Sequence, residues 1–371
     1  MNQDLWQDDM EYFMQGDWLD WSRLRNRTVL VTGAAGLIGS GLIRGLAYAN
    51  ENMGLGIRIL ALVRDISRAA ALFGEMSGGT VTLVQGDVER MPDIQEKVHF
   101  IVHGASPTAS AYFVGHPVET IKTAVNGTIN MLELGRKKEA EGFVYLSSME
   151  IYGVPETEKP LSEADVDYMN PLVIRNCYPE SKRLCEALCA AYAAEYGIHA
   201  VSVRLAQTIG PGVSADDKRI FAEFARCVLQ EKDIVLLTDG SSKRCYLYTM
   251  DAARAILTVL LKGKAGRAYN AGNPDSYCSV LEMAEMVAHV FGKDRIHVKF
   301  AENEDTRQFP PPHYYNLDMG EIFRLGFRPS VGLPEMYKRM IEGMVQHKET
   351  TKISGNQAKT GTEEENAAYK T

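Results

Sequence analysis

Tyr178 and Lys182, in Tyr178-Pro-Glu-Ser-Lys182, open a helical pattern that runs to about Tyr196. At this spacing the two side chains share one helix face. An ammonium beside a phenol favours the phenolate, so the pair predicts a Tyr178 of lowered pKa acting as a general base. Ser148 stands at the end of the apolar run Phe143-Val-Tyr-Leu146, in Ser147-Ser148-Met149-Glu150, and is placed to hold the same substrate hydroxyl. A lone Tyr-x-x-x-Lys carries little weight. Its meaning here comes from what precedes it, a glycine turn and then a serine at a strand end.

The glycine turn is Gly33-Ala-Ala-Gly36-Leu-Ile-Gly39, set between the apolar run Thr28-Val-Leu-Val31 and a helical pattern through Leu46. Strand, glycine turn and helix in that order suit a bound dinucleotide. Gly33 permits the tight turn, Gly36 lets backbone approach a pyrophosphate, and Gly39 lets helix pack on strand. The phosphates then meet the helix amino terminus, where unpaired N–H groups and the dipole favour negative charge.

Further strand candidates follow at Ile57–Val63, Val81–Val84, Phe100–Val102, Phe143–Leu146 and Ala200–Arg204, with helical stretches between them, including 118–138. This alternation predicts an α/β fold of the Rossmann type, a doubly wound parallel sheet whose ligands gather at the carboxyl ends of the strands. Arg64 follows the second strand, where an acid would read a ribose 2′-hydroxyl and an arginine a 2′-phosphate, so NAD and NADP both stay open. Asp87 falls at a strand end near an adenine, and the small residues of His103-Gly-Ala-Ser106-Pro107 let a cofactor pass close to backbone. His103 itself reads as a packed strand-end histidine.

Composition narrows the class. A formal net charge of −8 argues against a general nucleic-acid binder. No apolar run approaches the roughly 20 residues of a membrane span, and the acidic, Trp-rich start is unlike a targeting peptide. The six cysteines are scattered and form no C-x-x-C pair, which predicts reduced structural thiols, no metal site and a cytoplasmic protein. Residues 1–27 are expected to form an extension of one or two amphipathic helices that buries aromatics against the body. The dinucleotide domain is expected over 28–205, with the strand and helix of 244–265 returning to its sheet. A smaller α+β substrate domain is expected mainly over 206–347, and a disordered polar tail over 348–371.

Over roughly residues 28–345 the chain resembles the extended short-chain dehydrogenase/reductase superfamily of nucleotide-sugar epimerases, dehydratases and decarboxylases. The resemblance rests on VTGAAGLIG, GDV, HGASP, NGT, LSSMEIYG, YPESK, RLAQTIGPG, RCYLY-TMDAA and LGFRPSVGL, in the family's order. Among these enzymes it looks most like UDP-glucuronate decarboxylases, whose T-S-E-V-Y-G is matched here by Ser148-Met149-Glu150-Ile-Tyr-Gly153. Dehydratases carry T-D-E there, and their aspartate expels water from C6. Met149 cannot do so, whereas Glu150 favours chemistry at C5.

The resemblance implies a cofactor contacted by Gly33, Ala35, Gly36, Leu37, Ile38, Gly39, Arg64, Asp87, Val88, Gly104, Ala105, Ser106, Asn126, Tyr178 and Lys182. It implies a UDP-sugar met by Pro107, Ser148, Met149, Glu150, Gln207 and Arg244, and a homodimer built on helices near 118–138 and 180–196. Four departures fall in these regions. The usual acid after the second strand is absent, Gln207 replaces a common Asn, Ile209 replaces Tyr, and Gly212 stands where decarboxylases often place Arg. The implied chemistry is transient oxidation of sugar C4, with Tyr178, Lys182, Ser148 and Glu150 as the catalytic residues. A 4-epimerase, an NADPH-dependent 4-keto-sugar reductase and a non-catalytic dinucleotide-binding regulator are the competing expectations.

Overall fold

Every residue of β1 (Thr28–Thr32) is buried, as a strand covered on both faces must be. The structure is a computed structural model that describes residues 3–293, 295–302 and 311–346 of the 371, so the tail of 348–371 lies outside the described residues. Beside β1 stand β2 (Arg58–Val63), β3 (Val81–Gln85), β4 (Phe100–His103), β5 (Gly142–Ser148) and β6 (Ala200–Leu205). After β7 (Gln207–Ile209), β8 (Ile234–Leu236) and β9 (Lys243–Tyr248), the chain adds β10 (Ala268–Ala271) to the same sheet.

The seven strands run parallel in the order β10-β6-β5-β4-β1-β2-β3. Chain order reverses beside β1, and a crevice opens beyond the carboxyl ends of the strands at such a point. Alternate residues of β1 enter different cores: Val29 and Val31 join one, Leu30 the other. The first core takes α1 (Gln3–Met14), α2 (Leu37–Met53) and α3 (Ile66–Phe73). Short α4 (Ser110–Gly115) leads into α5 (Pro117–Lys138), which packs with α6 (Cys177–Tyr196) over the second core. Beyond α7 (Ile220–Gln230), α8 (Thr249–Lys262) returns to the first face, against α2, β5 and β6.

A smaller sheet stands at the carboxyl edge. There β9 pairs with β7, with β11 (Asn273–Ser279) and, after α9 (Val280–Gly292) and β12 (Val298–Phe300), with β13 (Tyr314–Tyr315). The pair β8–β12 forms a two-stranded sheet of its own. This corrects the expected return of 244–265: the helix packs on the main sheet, but the strand joins the small one. An apolar run announces a strand. Which sheet accepts it depends on partners distant in sequence.

The amino-terminal segment lies across α2 and α8. Phe13 is fully buried where Gly45 leaves room for its ring, a Cβ on Gly45 falling 2.8 Å from it. Trp18 and Trp21 pack edge-on to Phe13. Buried Asp9 accepts hydrogen bonds from Tyr248 at 2.6 Å and from Arg339 at 2.5 Å, the latter on the helix over residues 333–346. Burial pushes Asp9 up to about 6 despite these partners.

Candidate active site

A cleft of about 1050 Å³ runs along the carboxyl edge of the sheet. At its centre, Gly33 has φ +68°, and a Cβ there would lie 2.6 Å from the carbonyl oxygen of Gly104. A Cβ on Gly39 would lie 2.3 Å from the carbonyl oxygen of Gly33. Only glycine fits these two places, because the clashing atoms are backbone. Gly36 is the N-cap of α2 and makes no side-chain capping bond, so the first-turn amides bordering the cleft are offered to an anion.

The opposite wall is built by a hydroxyl. Thr32 Oγ1 accepts from the backbone N–H groups of Gly104 and Ala105 at 3.2 and 3.1 Å and donates to His103 Nδ1 at 2.7 Å. His103 Nε2 in turn faces Thr128 Oγ1 at 3.2 Å. Burial lowers the His103 pKa to about 3, with the Lys182 charge adding to it. It is a neutral packing residue, as expected, and it fixes the turn on which Gly104, Ala105 and Ser106 sit. The cradle, the bordering amides and the cleft's volume fit a dinucleotide.

At the end of β2, Arg64 is exposed and lines the cleft with Arg68. The next acid, Asp65, caps α3 by accepting from Arg68 N–H at 2.9 Å. Asp87 and Val88 line the same end. Asn126 does not reach the cleft. Its neighbour Gly127 faces Val88 and His103, and about 100° of helix rotation per residue leaves Asn126 exposed. Thr123, one turn earlier, lines the cleft instead and donates to Glu89 at 2.6 Å.

At the other end, β5 delivers Ser148 and the first turn of α6 delivers Tyr178 and Lys182. The Ser148 hydroxyl lies near enough to the Tyr178 phenol to favour its phenolate, and the phenol ring stacks on Phe113 with centroids 4.3 Å apart. Lys182 is 4% exposed; its Nζ donates to the Leu146 carbonyl at 2.7 Å and lies 5.6 Å from the Tyr178 ring centre. Burial lowers the lysine to about 8. The expected lowering of Tyr178 is not found. Burial, reinforced by the Glu150 carboxylate, raises its pKa, outweighing the pull of Ser148, Arg175 and Arg219. One of the lysine's three N–H groups is directed at the Leu146 backbone carbonyl.

Glu150 pairs with Arg175 at 2.7 Å. Met149 is buried in the wall beside it. Gln207, on β7, and Arg244, on β9, close the far end with His313 and Tyr315. Gln207 Oε1 and Arg244 Nε are buried without a hydrogen-bond partner among the described residues. Among those residues no group of acids, cysteines and histidines could hold a metal ion, and no helix is long and apolar enough to cross a membrane.

Comparison with known proteins bears on this arrangement. Residues 29–272 match the family model described as the NAD dependent epimerase/dehydratase family. The chain belongs to that family. UDP-glucuronic acid decarboxylase 1 of Arabidopsis thaliana is 30% identical over 315 residues, covering 84% of this chain and 68% of the relative. UDP-glucuronic acid decarboxylase 1 of Danio rerio is 27% identical over 319 residues, covering 85% and 72%. An epimerase from Methanothermobacter thermautotrophicus has the same fold, with TM-score 0.74 at 20% identity over 95% of this chain and 99% of that one. So has a dTDP-glucose 4,6-dehydratase from Streptomyces venezuelae crystallised with NAD, with TM-score 0.70 at 22% identity over 86% and 97%. This member is therefore an enzyme of the NAD-dependent nucleotide-sugar epimerase, dehydratase and decarboxylase group.

The cleft of this family member contains every other residue expected from sequence. It also contains Arg175, Arg219, His313 and Tyr315, which the sequence reading missed. Arg175 lies three residues before Tyr178 and could have been found as the nearest cation preceding that motif. His313 and Tyr315 arrive through the pairing of β13 with β9 and carry no local signal.

Proposed function

We propose that this enzyme decarboxylates UDP-glucuronate to a UDP-pentose or its 4-keto form through transient oxidation at C4. The observation that carries the reading is the position of Glu150. Its carboxylate borders the cleft beside the Ser148–Tyr178 pair and is fixed by Arg175 at 2.7 Å, while Met149 occupies the place where a dehydratase needs an acid. The likeness to UDP-glucuronic acid decarboxylases over 84% of the chain supports it.

Gly33, Gly36 and Gly39 would hold NAD, which when bound would accept a hydride from C4, return it there to give the pentose, and add positive charge that favours the Tyr178 phenolate. Tyr178 takes the proton of the C4 hydroxyl, which Ser148 orients. Lys182 supplies positive charge beneath the ring. With C4 a ketone, the C6 carboxylate belongs to a β-keto acid. The C5–C6 bond then breaks, carbon dioxide leaves, and the electron pair stays on C5, which is reprotonated by a solvent-derived proton with the help of Glu150. Arg244 and Gln207 meet the nucleotide and its diphosphate. The dimer would form through α5 and α6, on which Val118, Ile121 and Leu184 stand exposed.

The test is incubation of the protein with UDP-glucuronate and NAD, following carbon dioxide. Release of one carbon dioxide per UDP-sugar consumed is expected, and its absence would sink the reading. One observation favours a second reading, an NADPH-dependent 4-keto-sugar reductase: Arg64 and Arg68 flank the adenosine end, and Asp65 is engaged in capping. That enzyme would consume NADPH stoichiometrically and release no carbon dioxide.

A further inference from the structure

Arg244 is one of the cations at the substrate end of the cleft, and its guanidinium is held from one side only. Its Nη2 donates to His313 Nε2 at 3.0 Å, while its Nε is buried with no partner among the described residues. A guanidinium carries donors only, so Nε2 must present its lone pair. The imidazole proton then sits on Nδ1, which donates to the Pro311 carbonyl at 3.0 Å. Backbone fixes both partners. Lys243 N–H donates to the His313 carbonyl at 3.0 Å, and β13 pairs with β9 immediately beyond, Tyr315 opposite Arg244. The histidine ring packs edge-on to Tyr315, centroids 5.4 Å apart. A long, flexible side chain is thereby fixed at its tip by a neutral acceptor. A carboxylate in that place would neutralise the charge, and a water would leave the tip free to rotate.

We propose that His313 is a positioning residue for substrate binding: by accepting from Arg244 Nη2 it aims the rest of the guanidinium at an anionic group of the nucleotide sugar. This rests on the reading of the cleft as a nucleotide-sugar site, but not on decarboxylation. The anion is the diphosphate or the sugar carboxylate, and the choice of ligand separates them.

The experiment titrates UDP, and separately UDP-glucuronate, into the NAD-loaded protein by calorimetry, using wild type, His313→Leu and His313→Gln. Glutamine carries an oxygen acceptor near the position of Nε2, and leucine fills the space without one. Loss of one charge-assisted hydrogen bond that orients a cation predicts about tenfold weaker binding in His313→Leu. His313→Gln should bind within about threefold of wild type by the same argument. Weakening of both ligands in His313→Leu supports the proposal with the diphosphate as the anion. Weakening of UDP-glucuronate alone supports it with the carboxylate. Unchanged affinities in His313→Leu overturn it, as does a His313→Gln as weak as His313→Leu, which would make the histidine a packing residue only. A wild-type protein that binds neither ligand overturns it as well. Failure of the decarboxylase reading looks different: these shifts persist and no carbon dioxide appears.

Discussion

Lys182→Met should make the folded protein more stable while removing its activity. Lys182 is 4% exposed, and burial lowers its pKa from an ordinary 10.5 to about 8. At neutral pH that difference corresponds to about 3 kcal/mol by which folding is penalised for keeping the ammonium buried. Methionine has similar length and carries no charge, but it leaves the Leu146 carbonyl without the donor now 2.7 Å away. An unpaired buried carbonyl costs about 1–2 kcal/mol. The net expectation is a gain of about 1–2 kcal/mol for Lys182→Met at pH 7.

The pH dependence is more diagnostic than the gain itself. Between about 8 and 10.5 the unfolded chain still holds the lysine proton while the folded chain has released it. The unfolded state binds more protons there, so wild-type stability rises with pH. The wild type should therefore recover about 2 kcal/mol relative to Lys182→Met between pH 7 and pH 9.5. Urea denaturation of both proteins without nucleotide, at the two pH values, measures the gap. A gap that does not change with pH, or a variant less stable by several kcal/mol at pH 7, would refute the claim that the lysine is held at a cost to stability.

Three further predictions follow from the same geometry. Gly39→Ala places a Cβ against a backbone oxygen 2.3 Å away; overpacking of about 2 kcal/mol in the cradle predicts about thirtyfold weaker NAD binding, and unchanged calorimetric affinity would contradict it. Arg204 forks onto Glu186 at 2.8 and 3.0 Å and bonds Tyr152 and the Glu163 carbonyl. Arg204→Ala leaves a largely covered carboxylate unpaired, so a loss of about 3 kcal/mol in denaturation is expected, whereas a loss under 1 kcal/mol would show the pair to be solvated. Tyr178→Phe should lower kcat by about 10²–10⁴ while UDP and NAD affinities stay within twofold of wild type, and a variant that retains its kcat would remove the tyrosine from the chemistry.

The main sheet and the cradle were legible because their signals are local. The strands of the first half are rich in apolar residues, and Gly33 and Gly39 stand where backbone crowds backbone. Ser148, Tyr178 and Lys182 were legible because a strand end and a helix start place them within a few residues of their elements' limits. Asn126 misled because a motif fixes the turn of a helix and not its face, and one residue of rotation carries a side chain out of the cleft. The Tyr178 pKa was misjudged for another reason. Spacing showed the ammonium nearby but not the burial that dominates both groups, nor the Leu146 carbonyl that accepts a hydrogen bond from the lysine. His313 and the small-sheet place of β9 depend on pairings between segments about 70 residues apart, which no local pattern encodes.

The central claim, oxidation at C4 followed by loss of the C6 carboxylate, is tested most directly by running the reaction on UDP-glucuronate in deuterium oxide. Carbon dioxide release and a UDP-pentose or 4-keto product carrying a single deuterium at C5 are predicted, because the proton delivered to C5 comes from an acid that exchanges with solvent. A UDP-hexuronate returned with inverted C4 and an intact carboxylate, or no turnover without stoichiometric NADPH, would contradict the account.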